Sequence, residues 1–405
     1  MYTLLEEALM LQPLSYVLVT PYTVAKSRTG GVLSRLLSRI SLELVGAQMV
    51  TFDKETTEAF AQIIERRSAA ACCGASRDIL GSYIRQNMGP SEDGLLHRSL
   101  FLVFRGDNPT KELSNVCGAF QKDAYDVETV TGESIRDTYA DLIYADESKQ
   151  TLRYFEPAVI TASEQKEAEA VIKLFAEWLP TQNNLIHNRP DSCYEDVERT
   201  LVIIKPDNWR HASSRPGMII DMFSRSGLRI VAIKVLKMSV SQAIQFYGPT
   251  KEGLKKRLAP IYGMQARELL EREFNIPLTE ELENTLTESF GDMYSEEQFE
   301  RIVEFMAGIK TYERPKEEWD EPGLVKSMIL VYEGKDAIGK IRTILGATDP
   351  TKAAAGTIRR EFGSNICINA AHASDSVESA VREMGILEVE KNHLGGVLQH
   401  YVANR

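Results

Sequence analysis

Apolar runs of strand length, each closed by a breaker, recur along this chain and supply its first description. Ser15-Tyr-Val-Leu-Val-Thr-Pro21 and Thr200-Leu-Val-Ile-Ile-Lys-Pro206 form the clearest pair, each ended by a proline that cannot donate to a sheet ladder. A glycine and an amphipathic segment follow in both places, Gly30 to Ile40 and Gly217 to Ser226, and then a second strand-like run, Leu42 to Val50 and Arg229 to Met238. Arg98-Ser-Leu-Phe-Leu-Val-Phe-Arg-Gly106 matches Lys326-Ser-Met-Ile-Leu-Val-Tyr-Glu-Gly334, and Ser134-Ile-Arg136 matches Thr357-Ile-Arg359. The chain reads as one domain written twice. In each copy the order is strand, helix, strand, helices, strand, helix, long loop, strand, helix. That order predicts an α+β fold of tandem ferredoxin-like α/β sandwich domains with mostly antiparallel sheets.

Residues 1–180 make the first copy and 199–390 the second, with 391–405 as a C-terminal tail. Thr181 to Ser192 lacks periodicity and carries turn residues, so 181–198 reads as a linker. Within the second copy, Leu254 to Phe274, Thr279 to Phe290 and Ser295 to Met306 have helical apolar spacing, which predicts a helical insertion over about 250–322.

Composition narrows the class. At 43% hydrophobic and 26% charged residues, with no apolar run approaching the roughly 20 residues that span a bilayer, the chain reads as soluble and without a membrane partner. The opening stretch carries Glu6 and Glu7 and no basic region, a poor secretory signal, so the cytoplasm is the expected location. Five cysteines (Cys72, Cys73, Cys117, Cys193, Cys367) without a CxxC pair read as reduced thiols in ordinary packing. A net charge of −11 argues against nucleic-acid binding by broad phosphate neutralisation. An anionic small substrate would need a locally basic pocket.

The candidate chemistry lies in the second copy. Asn369-Ala-Ala-His372-Ala-Ser374-Asp375-Ser376 follows the apolar Ile366-Cys-Ile368 and precedes helical spacing from Val377 to Met384. The pattern is strand, turn, helix, with Ser374 or Asp375 as N-cap and Asp375 with Glu378 as a capping box. His372 would sit just ahead of a helix N-terminus, where N–H groups favour an anion. A lone His in a turn is more often a solvated residue. The company it keeps changes that assessment: Lys205-Pro206-Asp207, Arg342 ahead of Gly346-Ala-Thr348-Asp349-Pro350, and Gly356-Thr-Ile-Arg359.

These residues, taken in order, resemble the nucleoside diphosphate kinases. That family's signature is an asparagine three residues before a histidine, then a small residue and Ser-Asp-Ser, as in Asn369 to Ser376. Lys205, Arg342, Thr348, Arg359 and Glu383 also fall where the family has them. The resemblance implies that His372 takes the γ-phosphate of ATP and passes it to a nucleoside diphosphate in a ping-pong cycle. It implies Glu383 as the orienting carboxylate, acting directly or through Ser374, and Lys205, Arg342 and Arg359 as the cations on the phosphates. It further implies Thr348 as a hydroxyl donor, Tyr247 as a contact to the transferring group, Asn369 as a partner of a sugar hydroxyl or phosphate oxygen, and Ile366 as a base contact. Mg2+ would be bound through the nucleotide's own phosphates, since no acidic cluster has metal-ligand spacing. A homo-oligomer is expected. Outside the motif, Glu383 would read as a solvated helix face, as Arg360 and Lys352 still do.

The first copy departs from the pattern. Thr20 stands where Lys205 stands, Ser114 where Arg342 stands, and Thr161 is the residue expected at the histidine's place; only Arg136 survives. It reads as a copy that kept its core and lost its catalysis. Two other classes compete: a scaffold that binds nucleotide without catalysis, and an RNA-binding module. The second needs paired aromatics on the first and third strands and a basic surface; Leu201 to Ile204 has no aromatic and the net charge is acidic.

Overall fold

The structure is a computed structural model that describes residues 12–66, 74–118, 132–144, 152–187 and 196–405. Cys72, Cys73, Cys193 and the opening stretch judged a poor signal lie outside the described residues.

Each half builds a four-stranded sheet. In the first, β1 (Leu14–Val19), β2 (Glu43–Thr51), β3 (Arg98–Arg105) and β6 (Val159–Thr161) take the order β2-β3-β1-β6. In the second, β7 (Val197–Ile204), β8 (Arg229–Leu236), β9 (Ser327–Lys335) and β10 (Ala371–Ala373) take the order β10-β7-β9-β8. Numbered within each half, both sheets run fourth, first, third, second, the ferredoxin-like order. The pairings β1–β3, β1–β6, β2–β3, β7–β9 and β7–β10 are antiparallel. The paired proline-closed runs become β1 and β7, buried over Leu14–Val19 and Leu201–Ile204, as centre strands covered on both faces must be. The first half adds a hairpin, β4 (Asp141–Tyr144) with β5 (Leu152–Glu156). That hairpin falls in the stretch read as a long loop, because its strands are short and carry Asp141, Arg153 and Glu156 in place of an apolar run.

Aromatic rings fill the first core: Phe101 stacks on Phe175 at 4.0 Å and Phe52 on Trp178 at 5.2 Å. The last residues of the chain complete it. What reads as a tail contains the helix Leu394–Ala403, whose Leu394, Leu398 and Tyr401 join this core. The Tyr401 hydroxyl accepts the Leu14 N–H at 3.1 Å. The described part of the linker is also anchored, with Asn184 bonded to the Val389 and Glu390 carbonyls and Ile186 N–H to the Val231 carbonyl.

The halves meet through the helices Thr29–Arg39 and Arg215–Ser224. A Cβ on Gly30 would lie 2.4 Å from the Asp221 nitrogen, and one on Gly217 would lie 2.2 Å from the Ser34 nitrogen. The glycine after each first strand therefore lets two backbones cross where side chains do not fit. Arg98 adds a bond to the Ile230 carbonyl.

Leu236–Ser327 with Gly385–Leu387 form a second compact unit. It holds the insertion, with helices Val240–Phe274, Glu280–Leu286 and Asp292–Ala307. Its long helix opens with a capping box, Ser239 with Gln242, and passes close to Gly291, where a Cβ would meet the Ala259 carbonyl at 2.3 Å. Among the described residues no helix is long and apolar enough to cross a membrane.

Gly30→Leu and Gly217→Leu should each destabilise the protein by overpacking the helix crossing, on the order of 1–3 kcal/mol or more. Gly396→Ala, which meets open space, should be neutral or slightly stabilising. Urea unfolding of the three variants checks this; unchanged midpoints for the first two would contradict a tight crossing.

Candidate functional site

His372 sits at the centre of β10, opposite Ile203 of β7, in a strand and not in the turn its neighbours suggest. The tight turn lies two residues earlier. Ala370 has φ +70°, and the Ala371 N–H closes onto the Asn369 carbonyl at 2.8 Å. A left-handed alanine costs energy, and here its carbonyl is captured by the Lys205 N–H at 3.0 Å and the Asn208 side chain at 2.8 Å. Lys205 and Asn208 both follow directly from the proline-closed end of β7. Asn208 was not among the sequence candidates; its signal is that it stands in the same Lys-Pro-Asp-Asn run.

His372 Nε2 lies 3.0 Å from Glu383 Oε2, and the Ser374 hydroxyl donates to the same oxygen at 2.7 Å. Glu383 is only 4% exposed, so it is no solvated helix face. It acts on the ring both directly and beside Ser374. Because Ser374 is used here, the helix Val377–Ile386 is capped by another residue: Ser376 Oγ accepts the Ser379 N–H at 3.0 Å. The expected cap at Ser374 or Asp375 and the Asp375–Glu378 box are thus replaced. The Asp375 carboxyl is held low, chiefly by its bond to the Ser379 side chain and further by the Arg342 charge.

A second group gathers around Asn369, which is 1% exposed. Its Oδ1 accepts from Lys205 Nζ at 2.7 Å, and its amide donates to the Thr348 and Ile366 carbonyls at 3.0 and 2.8 Å. Lys205 also reaches the Cys367 carbonyl at 3.1 Å. Burial lowers the Lys205 pKa to about 8, with the Cys367 and Asp207 charges opposing that shift and Arg359 adding to it. The same burial raises the Asp207 and Cys367 acids. Arg359 donates to the Gly346 and Ala371 carbonyls at 3.0 and 3.2 Å. Arg342, Thr348 and Ile366 are exposed on the same compact unit. Tyr247 belongs to the other unit, buried on the long helix against Phe246. The fold therefore gathers His372, Ser374 and Glu383, and separately Lys205, Asn369 and the carbonyls of Thr348 and Ile366.

The first half repeats the frame without the chemistry. Ala158 has φ +60°, the Val159 N–H closes onto the Pro157 carbonyl, and the Thr20 N–H takes the Ala158 carbonyl at 3.1 Å. Ile160 pairs with Leu18 as His372 pairs with Ile203, each two residues before Thr20 or Lys205. The residue at the histidine's place is therefore Ile160 and not Thr161. The sequence comparison missed by one because the two loops preceding these strands differ in length. Counting on along the strands and helices, Ala162 and Val171 stand for Ser374 and Glu383. Beside Thr20 lies Glu156, which accepts from Thr20 at 2.6 Å, from Tyr83 at 2.7 Å and from the Ala158 N–H at 3.0 Å. A buried carboxyl, its pKa raised by burial although Thr20 and Tyr83 donate to it, thus stands beside the residue that replaces Lys205.

A family model described as "Nucleoside diphosphate kinase" matches residues 198–257 and 279–392. The chain is 36% identical over 188 residues to the nucleoside diphosphate kinase of Halorhodospira halophila, which covers 46% of this chain and 90% of that one. It is 31% identical over 198 residues to that of Nitratiruptor, covering 49% of this chain and all of the relative. The solved structure of the Aquifex aeolicus nucleoside diphosphate kinase aligns at 28% identity and a TM-score of 0.30, over 47% of this chain and 94% of that one.

The Lys205 environment has a consequence for stability. Below about pH 8 the amine is charged in both folded and unfolded chains, and the full burial penalty is present. Between about 8 and the ordinary 10.5 the unfolded chain binds the proton more tightly, so stability rises with pH. Lys205→Met should then gain on the wild type most below pH 8, the difference shrinking as pH approaches 10.5. Denaturant unfolding of both proteins from pH 7 to about 10.5 tests this; a pH-independent difference would contradict it.

Proposed function

The chain belongs to the nucleoside diphosphate kinase family, and we propose that it moves the γ-phosphate of ATP to nucleoside diphosphates in two half-reactions through a phosphohistidine on His372. The observation that carries this reading is the 3.0 Å contact between His372 Nε2 and a buried Glu383 carboxylate that Ser374 also holds. With Nε2–H donating to Glu383, Nδ1 carries the lone pair and is the attacking atom.

As the Nδ1–phosphorus bond forms and the bond to the β-phosphate oxygen breaks, the imidazole gains positive charge. Glu383 offsets that charge from a site already desolvated, where a fixed carboxylate acts more strongly than in water. ADP leaves, a second nucleoside diphosphate enters, and its terminal oxygen takes the phosphoryl group back from Nδ1 by the reverse path. Lys205, Arg342 and Arg359 are the cations we assign to the phosphates, with the Thr348 hydroxyl and Asn369 as further phosphate or sugar contacts and Ile366 toward the base. Mg2+ would be held through the nucleotide's own phosphates and would supply charge neutralisation there. We place the enzyme in the cytoplasm as a homo-oligomer whose first half contributes packing and no chemistry; static light scattering of the purified chain tests the assembly.

His372→Asn should abolish phosphate exchange and the acid-labile, base-stable label acquired from γ-labelled ATP, while leaving the fold intact. Glu383→Ala should slow exchange by about 100-fold, as loss of one preorganised electrostatic group does, yet still allow His372 to be labelled. Adding Ile160→His to the His372→Asn protein should restore nothing, because Thr20, Ala162 and Val171 supply neither cation nor carboxylate. Exchange near the wild-type rate in His372→Asn would sink the assignment.

A further inference from the structure

Two arginines outside the residues assigned so far make the same pair of contacts in the two halves. Arg215 stands two residues before Gly217, at the start of the helix Arg215–Ser224, and Arg28 stands two residues before Gly30, at the N-cap of the helix Thr29–Arg39. Arg215 donates to the Phe362 carbonyl at 2.7 Å and lies over the ring of the same residue at 5.6 Å. Arg28 donates to the Tyr139 carbonyl at 3.1 Å and lies over that ring at 6.0 Å. Phe362 and Tyr139 are the last residues of two five-residue helices, Ile358–Phe362 and Ile135–Tyr139. A guanidinium suits both contacts at once, since its edge donates while its flat face packs on a ring.

The halves differ on the other side of the arginine. Asp207 follows Pro206 where Tyr22 follows Pro21. Arg215 is accordingly ion-paired with the Asp207 carboxyl at 3.7 Å, whereas Arg28 lies over the Tyr22 ring at 5.7 Å. Asp207 is buried; desolvation raises its pKa, and the Lys205 and Arg215 charges oppose that rise. One guanidinium thus joins the segment after β7, which supplies Lys205, to the short helix that supplies Arg359. Five residues are too few to fix a helix by its own bonds, so what ties the end of Ile358–Phe362 sets where Arg359 stands.

We infer that Arg215 is a positioning residue, which clasps Phe362 and so holds Arg359 in place for the nucleotide phosphates. The inference rests on the function proposed above and deepens it: the phosphate contacts stay with Lys205, Arg342 and Arg359, and Arg215 acts through Arg359. A lysine at 215 would keep a charge opposite Asp207 but would lack the flat face and the fork.

The test is a double-mutant cycle in the full chain, with Arg215→Lys, Arg359→Lys and the two together, read as kcat/KM for the nucleoside diphosphate and as affinity for ADP by calorimetry. Arg28→Lys is the control. Arg215→Lys should lower kcat/KM by about 10-fold, the scale of one hydrogen bond to a charged group. Made in the Arg359→Lys protein, the same change should cost less than about two-fold, because an effect that passes through Arg359 is lost with it. Arg28→Lys should leave both readouts as in the wild type. Equal costs in the two backgrounds would overturn the inference, as would an Arg215→Lys protein with unchanged kcat/KM or an Arg28→Lys protein impaired to the same degree. A wild type that binds ADP without exchanging phosphate would count against the proposed function, and the cycle would then be decided on ADP affinity. A wild type that neither binds ADP nor exchanges phosphate would overturn both.

Discussion

Strand β10 has three residues and cannot hold its own place, so the site depends on how its ends are tied. On the side toward Asn369 the chain turns left-handed at Ala370, a conformation that costs an alanine about 1–2 kcal/mol. Two donors from the segment after β7, the Lys205 N–H and the Asn208 amide, close on the Ala370 carbonyl; at about 1 kcal/mol net each they offset that cost. On the other side Ser374 hands the chain to the helix that brings Glu383 back under the ring. The outcome is an imidazole gripped at Nε2, two residues along from a strained turn.

Both halves share that frame, whereas only one carries the histidine and its carboxylate. Ala158, Thr20 and Arg136 repeat the turn, the carbonyl capture and the arginine bond to the carbonyl that follows in a half whose strand presents Ile160. The two copies differ in the polar groups hung on the frame. In one, a buried ammonium whose pKa is lowered to about 8 faces an amide; in the other, a buried carboxyl faces a threonine and a tyrosine. Strain and buried charge are tolerated together at the first of these places, where a ligand of opposite charge would relieve the second. The packed halves bring two backbones into close approach at Gly30 and Gly217, so the sheets of both copies share one compact unit.

Periodicity and breakers were enough to read β1, β7, β3 and β9 from the chain, since buried centre strands must be apolar and must stop at proline or glycine. The duplication followed from the same runs, and the ordered motifs from Lys205 to Glu383 carried the family. Short-range signals also located the helices of the insertion.

What needed the tertiary structure involves partners distant in sequence or a shift of one residue. The register that puts Ile160, not Thr161, opposite Leu18 is set by inter-strand hydrogen bonds, and loops of unequal length hide it from any alignment by spacing. Ser374 reads as a cap because a serine before a helix usually bonds the nearest N–H; in the fold a buried carboxylate nine residues on takes its hydroxyl, and Ser376 caps instead. The final helix reads as a tail because its apolar face has no local partner, and its partner is a core begun almost 400 residues earlier, at Leu14. The sequence by itself determined which groups are available and in what order; only the tertiary structure decided which nitrogen of His372 is held and which residues stand in for it in the other half, because those depend on where separate segments meet.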